Sequence, residues 1–410
     1  MYLIFGKGKS GKAASKLLEL RNLPHLLVDD KTPNWQSYLK STSTVVVSPG
    51  IPPFHPLFGL SRNKELIGET ELAYRFWKGS VVAITGTDGK STTTRLVYLI
   101  LKSYLSGVYE GGNIGRPFSE IVSQTSSGIA VLEVSSFQGY TLKTFRPSVG
   151  VFLNFAPDHL DWHRDLEDYL RGKYKIFLQQ REGDLLFLNG WQEEVKKTPS
   201  RAKKLLFGKG GEIEIRPDGW VYFEGEKLFE WKKLKIKGIH NAWNSAVASA
   251  VGRIFGVPPK VIREVLYEFR GLPYRLQYLG DFKGLKVYND SKSTTPNALK
   301  MALQSFDKKV VLIFGGKDKG ADFTPLRELF KKRVKVAIAY GENGDKLVET
   351  FKDCVPTERV KTLEEALRLA KGKVAKGDIL LFSPASASFD QFKSYEERGK
   401  IFEKLVKEIF

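Results

Sequence analysis

Cysteine is nearly absent from this 410-residue chain: Cys354 stands alone. That excludes an internal disulfide framework, and nothing near it forms a cysteine-built metal cluster. Methionine is scarce, with two residues, and histidine is limited to five. No uninterrupted apolar run reaches the roughly 18 residues that a membrane-spanning helix needs. The opening Met1-Tyr2-Leu3-Ile4-Phe5 runs into a glycine turn and lacks the basic segment and cleavage site of a secretory signal. Low-complexity tracts are missing as well, so disorder is not the default. The expectation is a cytoplasmic protein with no membrane partner.

What is abundant is positive charge, with 65 Lys and Arg against 46 Asp and Glu and a net charge of +19. Such a balance attracts nucleic acid, attracts small anionic substrates, or simply solvates a lysine-rich surface. Few Cys and Met beside many Lys and Glu is also a thermophile-like composition. Hydrophobic residues at 42% and charged residues at 27% are ordinary globular values. The length suggests two or three domains.

Three blocks each open with a strand leading into a glycine-rich turn, at residues 1–78, 79–270 and 271–410. The first has strand-like 2–5, 26–28 and 45–47 with a helix over 12–20. In the second, strands are expected at 81–85, 129–134, 149–155 and 184–188, with helices near 91–102 and 241–255. Alternation around Pro217-Asp218-Gly219 predicts a β-hairpin over 213–230. Strands at 285–288, 310–314, 334–339 and 378–382 alternate with helical segments in the third. This is an α/β chain of parallel units, whose ligands sit beyond the carboxyl ends of the strands.

Gly86-Thr87-Asp88-Gly89-Lys90-Ser91-Thr92 follows an apolar strand and precedes a helix-forming run. Glycines let the backbone wrap a phosphate, and N–H groups at the helix start point at its oxygens. Lys90 adds a cation, and the Ser91 hydroxyl can bind Mg²⁺. Ile84 stands where the longer form of this loop has its first glycine, yet the Gly-x-x-Gly-Lys-Ser-Thr core keeps the phosphate-binding parts.

Glu133 ends a strand in Glu133-Val134-Ser135-Ser136-Phe137-Gln138. A carboxylate there can hold Mg²⁺, a hard cation that prefers oxygen; a solvent-exposed or salt-bridged glutamate is the plainer alternative. Two of the five histidines fall in Asn154-Phe155-Ala156-Pro157-Asp158-His159-Leu160-Asp161-Trp162-His163. His159 could ligate a metal, orient a carboxylate or be structural. Lys173 lies in the next helix among other lysines, where a solvated face is the default reading.

Gly6-Lys7-Gly8-Lys9-Ser10-Gly11, with Asp29 ending the next strand, matches the dinucleotide fingerprint and by itself argues for an oxidoreductase. The physics, however, recognises a pyrophosphate and a hydroxylated sugar, which a nucleotide-sugar diphosphate also offers. An oxidoreductase would leave the loop at Gly86 without a purpose. In the third block, Asn289-Asp290-Ser291-Lys292-Ser293-Thr294-Thr295-Pro296, Gly315-Gly316-Lys317-Asp318-Lys319 and Ser383-Pro384-Ala385-Ser386-Ala387-Ser388-Phe389-Asp390 all follow strands. Small residues permit close backbone approach to a ligand, and Lys319 could pair with a carboxylate.

These motifs, in this order, resemble those of the Mur ligases over essentially the whole chain. The resemblance rests also on Ser48-Pro49-Gly50-Ile51, Gly111-Gly112-Asn113-Ile114-Gly115, His240-Asn241 with Asn244, and Leu272-Pro273-Tyr274-Arg275. Asp290-Ser291-Lys292 stands where sister ligases typically have Asp-Tyr-Ala-His, which points to the D-glutamate-adding branch. The implied fold is a Rossmann-like domain that binds a uridine nucleotide, a central P-loop-type ATPase domain and a C-terminal Rossmann-like domain. The implied reaction joins D-glutamate to UDP-N-acetylmuramoyl-L-alanine through an acyl phosphate, converting ATP to ADP and phosphate for peptidoglycan precursor synthesis.

By motif position, Ser10, Asp29 and Ser48 would contact the uridine nucleotide and Asn113 its pyrophosphate-muramoyl region. Gly50, Ser135, Gln138 and Phe389 join the substrate-binding set from within the quoted motifs. Residues Gly86 to Thr92 would serve ATP, with Ser91 and Glu133 on Mg²⁺. His159 and Lys173 would hold a second metal, Lys173 as a CO₂-derived carbamate. Asn244, Arg275 and Asp290 would take the adenosine side, with Lys292 near the phosphates and intermediate. Thr294, Lys319, Ser388 and Tyr395 would receive D-glutamate. Lys9, Asp30, Lys31 and Thr295 depart from the usual family residues. The resemblance implies a monomer with no nucleic-acid partner. The rivals are another Mur-type or folylpolyglutamate-type ligase, an NAD(P)-dependent oxidoreductase, and a nucleic-acid-stimulated P-loop ATPase.

Overall fold

The computed structural model describes residues 1–159, 162–208, 210–236 and 238–410. Leu160 and Asp161 of the histidine loop therefore lie outside the described residues. The chain divides into two compact units, 1–234 with 239–268, and 235–238 with 269–410.

The first unit holds two sheets. Strands β1 (Tyr2–Phe5), β2 (His25–Val28), β3 (Thr44–Val47) and β4 (Glu65–Gly68) form a parallel sheet in the order β2-β1-β3-β4. The helix after the first glycine turn spans Lys9–Leu20, one turn earlier than its apolar pattern suggests. Lys9 and Ser10 form that first turn, where polar residues are tolerated.

The second sheet contains β5 (Ser80–Thr85), β6 (Val108–Gly112), β7 (Ile129–Glu133), β8 (Val149–Phe152), β9 (Leu185–Asn189), β10 (Lys203–Phe207), β11 (Ile213–Ile215), β12 (Trp220–Phe223) and β13 (Glu226–Glu230). Their order is β13-β12-β11-β10-β9-β8-β5-β7-β6. Val81 to Thr85 are buried on both faces, the mark of a central parallel strand. The chain leaves β5 toward β7 and β6 and later returns to its other side as β8. The reversal sets a ligand crevice beyond the carboxyl end of β5.

The expected hairpin is a three-stranded antiparallel meander. Its first turn falls at Pro217-Asp218-Gly219 as expected. A second, at Glu224 and Gly225, has both residues at positive φ and splits what reads as one long strand.

The two sheets of this unit share an apolar core. Ile4, Leu17, Ile67 and Trp77 from residues 1–78 join Phe118 and Phe145 from the part that carries the second sheet. Buried Glu71 fixes the junction, accepting from the N–H groups of Lys143, Thr144 and Phe145 at 3.0–3.1 Å.

The second unit contains β14 (Gln277–Phe282), β15 (Leu285–Asn289), β16 (Val310–Gly315), β17 (Val334–Tyr340), β18 (Thr357–Arg359) and β19 (Ile379–Phe382), ordered β14-β15-β19-β16-β17-β18. All pairs are parallel except β14 with β15. Helices cover both faces over separate apolar cores. The parallel strands β15, β16, β17 and β19 thus present their carboxyl ends, with the three polar motifs, at one edge.

Candidate active site

The phosphate loop is shaped by two glycines, bonded by one asparagine and packed against another. Gly86 (φ +153°) and Gly89 (φ +82°) occupy left-hand backbone regions that side chains disfavour. A Cβ at Gly89 would sit 2.5 Å from Asn244 Oδ1, so Asn244 closes directly on the loop. On the other side Asn154 Oδ1 accepts from the Thr87 and Asp88 N–H groups at 3.1 and 2.8 Å, and its Nδ2 donates to Asp88 O at 3.0 Å. The motifs assign Asn154 no role; the available signal is an amide just past a buried strand beside the loop's own. The helix Lys90–Lys102 starts at Gly89, which has no side chain to cap it. The N-cap residue thus contributes no side chain at the helix start, where backbone N–H groups suit an anion.

Lys90 Nζ donates to Gly86 O and Thr87 O at 2.9 and 2.7 Å. Lys173 Nζ donates to the same Gly86 O at 2.7 Å and lies 4.5 Å from the Tyr169 ring centre. Lys173 is therefore no part of a solvated helix face. It is 1% exposed, on the inner side of the helix Leu166–Tyr174. Burial, reinforced by the Lys90 charge, holds its amine well below the ordinary lysine range, toward the neutral form.

Glu133 pairs in register with Ile84 of β5, placing it next to the loop. It is 1% exposed, so the plain alternative of a solvent-exposed glutamate fails. Its Oε1 accepts from Asn113 Nδ2 at 2.9 Å, while Oε2 is buried without a hydrogen-bond partner among the described residues. An orphaned carboxylate oxygen at a phosphate loop suits a hard cation. His159 adopts φ +55° and rests 3.4 Å from Asp158 and 4.8 Å, ring to ring, from Phe137. Among the described residues, no three His, Cys, Asp or Glu side chains cluster to hold a metal. The expected ligand set is compatible with this, since only Glu133 and His159 of it are such residues.

His163 is the structural histidine of the pair. Asp168 can only accept, so His163 Nδ1 donates to it at 3.2 Å and Nε2 accepts from Ser136 Oγ at 2.9 Å. Burial pushes this imidazole below its ordinary pKa, in keeping with that neutral tautomer.

Ser135 and Gln138 form a reciprocal capping box at the short helix Ser136–Gly139, and Gln138 Nε2 reaches Thr70 Oγ1 at 3.0 Å. At the first sheet, Ser48 Oγ donates to Gly6 O at 3.3 Å, and a Cβ on Gly6 would strike Ser48. Ser10 lies in the first turn of the helix that begins beside them. Asp29 accepts from Thr32 Oγ1 at 2.9 Å and faces Lys7 Nζ at 3.4 Å. Thr32, then Lys7, hold its carboxyl below the usual range. Lys9 donates to Gly115 O, tying the first glycine turn to the Asn113 loop. Gly50 is exposed, and a Cβ added to it would meet no atom within 4 Å, so sterics alone do not demand glycine there.

In the second unit, Asp290 accepts from Ser383 Oγ at 2.8 Å and from Leu276 N at 3.0 Å, with Arg275 close by. Burial raises its carboxyl to about 7, against those hydrogen bonds. Lys292 Nζ lies 5.5 Å from the Tyr395 ring centre. Thr294 is half-buried, Ser388 buried, and Lys319 and Phe389 exposed. All stand on the strand-end loops or, for Tyr395, at the start of the helix Tyr395–Ile409. Asn113 and Glu133, and Asn244 and Gly89, are thus brought together within the first unit, as are Arg275 and Asp290 within the second.

A glycine-turned phosphate loop with a buried carboxylate, followed by an α/β unit with polar strand ends, defines an enzyme of the Mur ligase class. Residues 84–252 match the family described as the Mur ligase middle domain, and residues 274–386 that described as the Mur ligase glutamate ligase domain. The chain belongs to the Mur ligases, and within them to the family of UDP-N-acetylmuramoylalanine–D-glutamate ligases. It is 55% identical to the ligase of that name from Aquifex aeolicus, over 99% of this chain and 98% of the relative. It is 48% identical to the one from Hydrogenobaculum, over 100% and 99%. The fold is that of the UDP-N-acetylmuramate–alanine ligase of Thermotoga maritima, with a TM-score of 0.64, 19% identity and 99% coverage of both chains. No helix among the described residues is long and apolar enough to cross a membrane.

Proposed function

We propose that this chain joins D-glutamate to UDP-N-acetylmuramoyl-L-alanine, converting ATP to ADP and phosphate, as a monomer in the cytoplasm. Residues 1–78 would bind the uridine nucleotide, 79–270 ATP and metal, and 271–410 the amino acid. One observation carries the ATP half: Lys90 and Lys173 meet at the Gly86 carbonyl, near a Glu133 oxygen that has no hydrogen-bond partner among the described residues. The choice of substrates rests on the names of relatives aligned along the whole chain.

Lys90 and the N–H groups opening its helix would hold the triphosphate tail. Ser91 Oγ and Glu133 Oε2 would hold one Mg²⁺, and His159 with Lys173 a second. Bound Mg²⁺ supplies charge neutralisation on the transferring phosphoryl group. Lys173 would serve as a carbamate: its neutral amine adds CO₂, an N–C bond forms and a proton leaves. Burial makes that step accessible, because an ammonium has no lone pair to give. Asn113, Ser135 and Gln138 would line the muramoyl side, with Ser10, Asp29, Ser48 and Gly50 toward the uridine.

The γ-phosphoryl then passes to the L-alanyl carboxylate, leaving ADP and an acyl phosphate. The amine of D-glutamate attacks the acyl carbon, and phosphate leaves through a tetrahedral intermediate, with Lys292 near the charge that develops. Asn244, Arg275 and Asp290 would hold the adenosine side; Thr294, Lys319, Ser388, Phe389 and Tyr395 would receive D-glutamate. Phosphate release with UDP-N-acetylmuramoyl-L-alanine against a panel of D- and L-amino acids tests the reading. D-Glutamate should dominate; no release with any amino acid, or equal release with all, overturns it.

A further inference from the structure

Lys9 stands in the first turn of the helix that follows Gly6-Lys7-Gly8, a turn without an acidic residue. Its ammonium donates to Gly115 O, a neutral carbonyl 106 residues away, and among the described residues Lys9 makes no ion pair. Two neighbouring cations are engaged elsewhere. Lys7 Nζ donates to Thr32 Oγ1 at 2.9 Å and faces Asp29 at 3.4 Å. Arg116 Nε donates to Glu120 Oε1 at 2.9 Å and its Nη2 to Gln124 Oε1 at 2.7 Å. An ammonium carries three donors, so one carbonyl leaves Lys9 with capacity for an anionic oxygen.

The far end of the contact belongs to the loop that Asn113 opens. Asn113 N donates to Glu133 O at 2.8 Å, and its Nδ2 donates to Glu133 Oε1 at 2.9 Å. On the near side, Ser48 Oγ donates to Gly6 O at 3.3 Å. Lys9 therefore bridges the first glycine turn, with Ser48, to the loop that steadies Glu133. A nucleotide-linked substrate must make the same crossing. Its uridine is assigned to the glycine turn, Asp29 and Ser48, while the carboxylate to be phosphorylated must lie near Glu133. The diphosphate between them is the charged part of the span.

We propose that Lys9 is a specificity-determining residue whose ammonium binds the diphosphate of the UDP-substrate while it holds Gly115. This rests on the reading of UDP-N-acetylmuramoyl-L-alanine as substrate. Because Lys9 departs from the residue usual at this position, the contact is this chain's own. A charge-assisted hydrogen bond from an ammonium to a phosphate oxygen is stronger than one between neutral groups, and on an exposed side chain it weakens with salt.

Three variants separate the charge from the tie to Gly115. Lys9→Met removes both, Lys9→Gln keeps a donor for Gly115 O without the charge, and Lys9→Arg keeps both. Calorimetry gives Kd for UDP at low and high salt, and phosphate release gives KM for the UDP-substrate and for ATP. Lys9→Met and Lys9→Gln should each raise Kd for UDP and KM for the UDP-substrate by about tenfold. KM for ATP should change by less than about twofold. Lys9→Arg should stay near wild type, and the salt dependence of UDP binding should shrink in the two neutral variants.

An unchanged Kd for UDP in a folded Lys9→Met protein overturns the inference alone. So does wild-type binding by Lys9→Gln, which would leave Lys9 a tie between two loops. Should Lys9→Met fail to fold, equal Kd values for the glutamine and arginine variants overturn it. A wild-type enzyme that releases no phosphate with UDP-N-acetylmuramoyl-L-alanine overturns the functional reading, and the inference falls with it.

Discussion

A buried carboxylate oxygen left without a hydrogen bond costs about 1–3 kcal/mol, and Glu133 has one such oxygen among the described residues. Glu133→Gln keeps the acceptor for Asn113 and removes the anion. Its kcat should fall by about 10²–10³, while its melting temperature stays level or rises; near-normal turnover would remove Glu133 from the metal site. Lys173→Ala should lose activity and regain part of it with short carboxylic acids, which replace the missing carbamate oxygens. Full activity in the unsupplemented variant removes the carbamate from the scheme. Asp290 makes a pH prediction. Its folded carboxyl titrates near 7 against an ordinary value of 3.8 in the unfolded chain, so between these values the folded state holds a proton the unfolded state has released. Its contribution is complete below the unfolded value and is lost as pH rises through 7, with a slope of about 1.4 kcal/mol per pH unit. Chemical denaturation from pH 4 to 8 should show that slope on the transition of the second unit, and Asp290→Asn should flatten it.

Elements differ in how far their residues announce them. The strand–loop–helix from Ser80 to Lys102 is legible because an apolar strand, two obligatory glycines and a helical run follow one another locally. Gly89→Ala tests that element: with φ at +82° and a Cβ only 2.5 Å from Asn244 Oδ1, it should lose about 1–3 kcal/mol of stability and raise KM for ATP. Urea unfolding and ATP titration read the two effects; an alanine variant with wild-type values in both would mean that the loop does not require glycine. Burial is far less legible. Lys173 is one lysine among several along its helix, and only the packing of Leu166–Tyr174 against the loop shows which of them turns inward. The contacts of Asn154 and Lys9 are invisible in the sequence for the same reason, since their partners lie 66 and 106 residues away. The meander reads as a hairpin because Glu224-Gly225 is a weaker turn signal than Pro217-Asp218-Gly219, and its left-handed Glu224 is not expected from residue type.

At the scale of the whole molecule, a net charge of +19 meets proposed substrates that are all anionic. Raising ionic strength should lower kcat/KM for ATP and the UDP-substrate while leaving kcat nearly unchanged, because long-range steering is screened beyond about 10 Å at 0.1 M salt. A salt-independent kcat/KM would assign the charge to surface solvation alone. DNA should not stimulate phosphate release; stimulation would favour the nucleic-acid-dependent ATPase. Asn154 bonds the backbone of the phosphate loop and Asn244 packs against its Gly89, so the loop is held in one shape. Arrival of ATP then need not wait for a floppy segment to fold around it, and the tempo of capture is left to diffusion and to the tug of opposite charge.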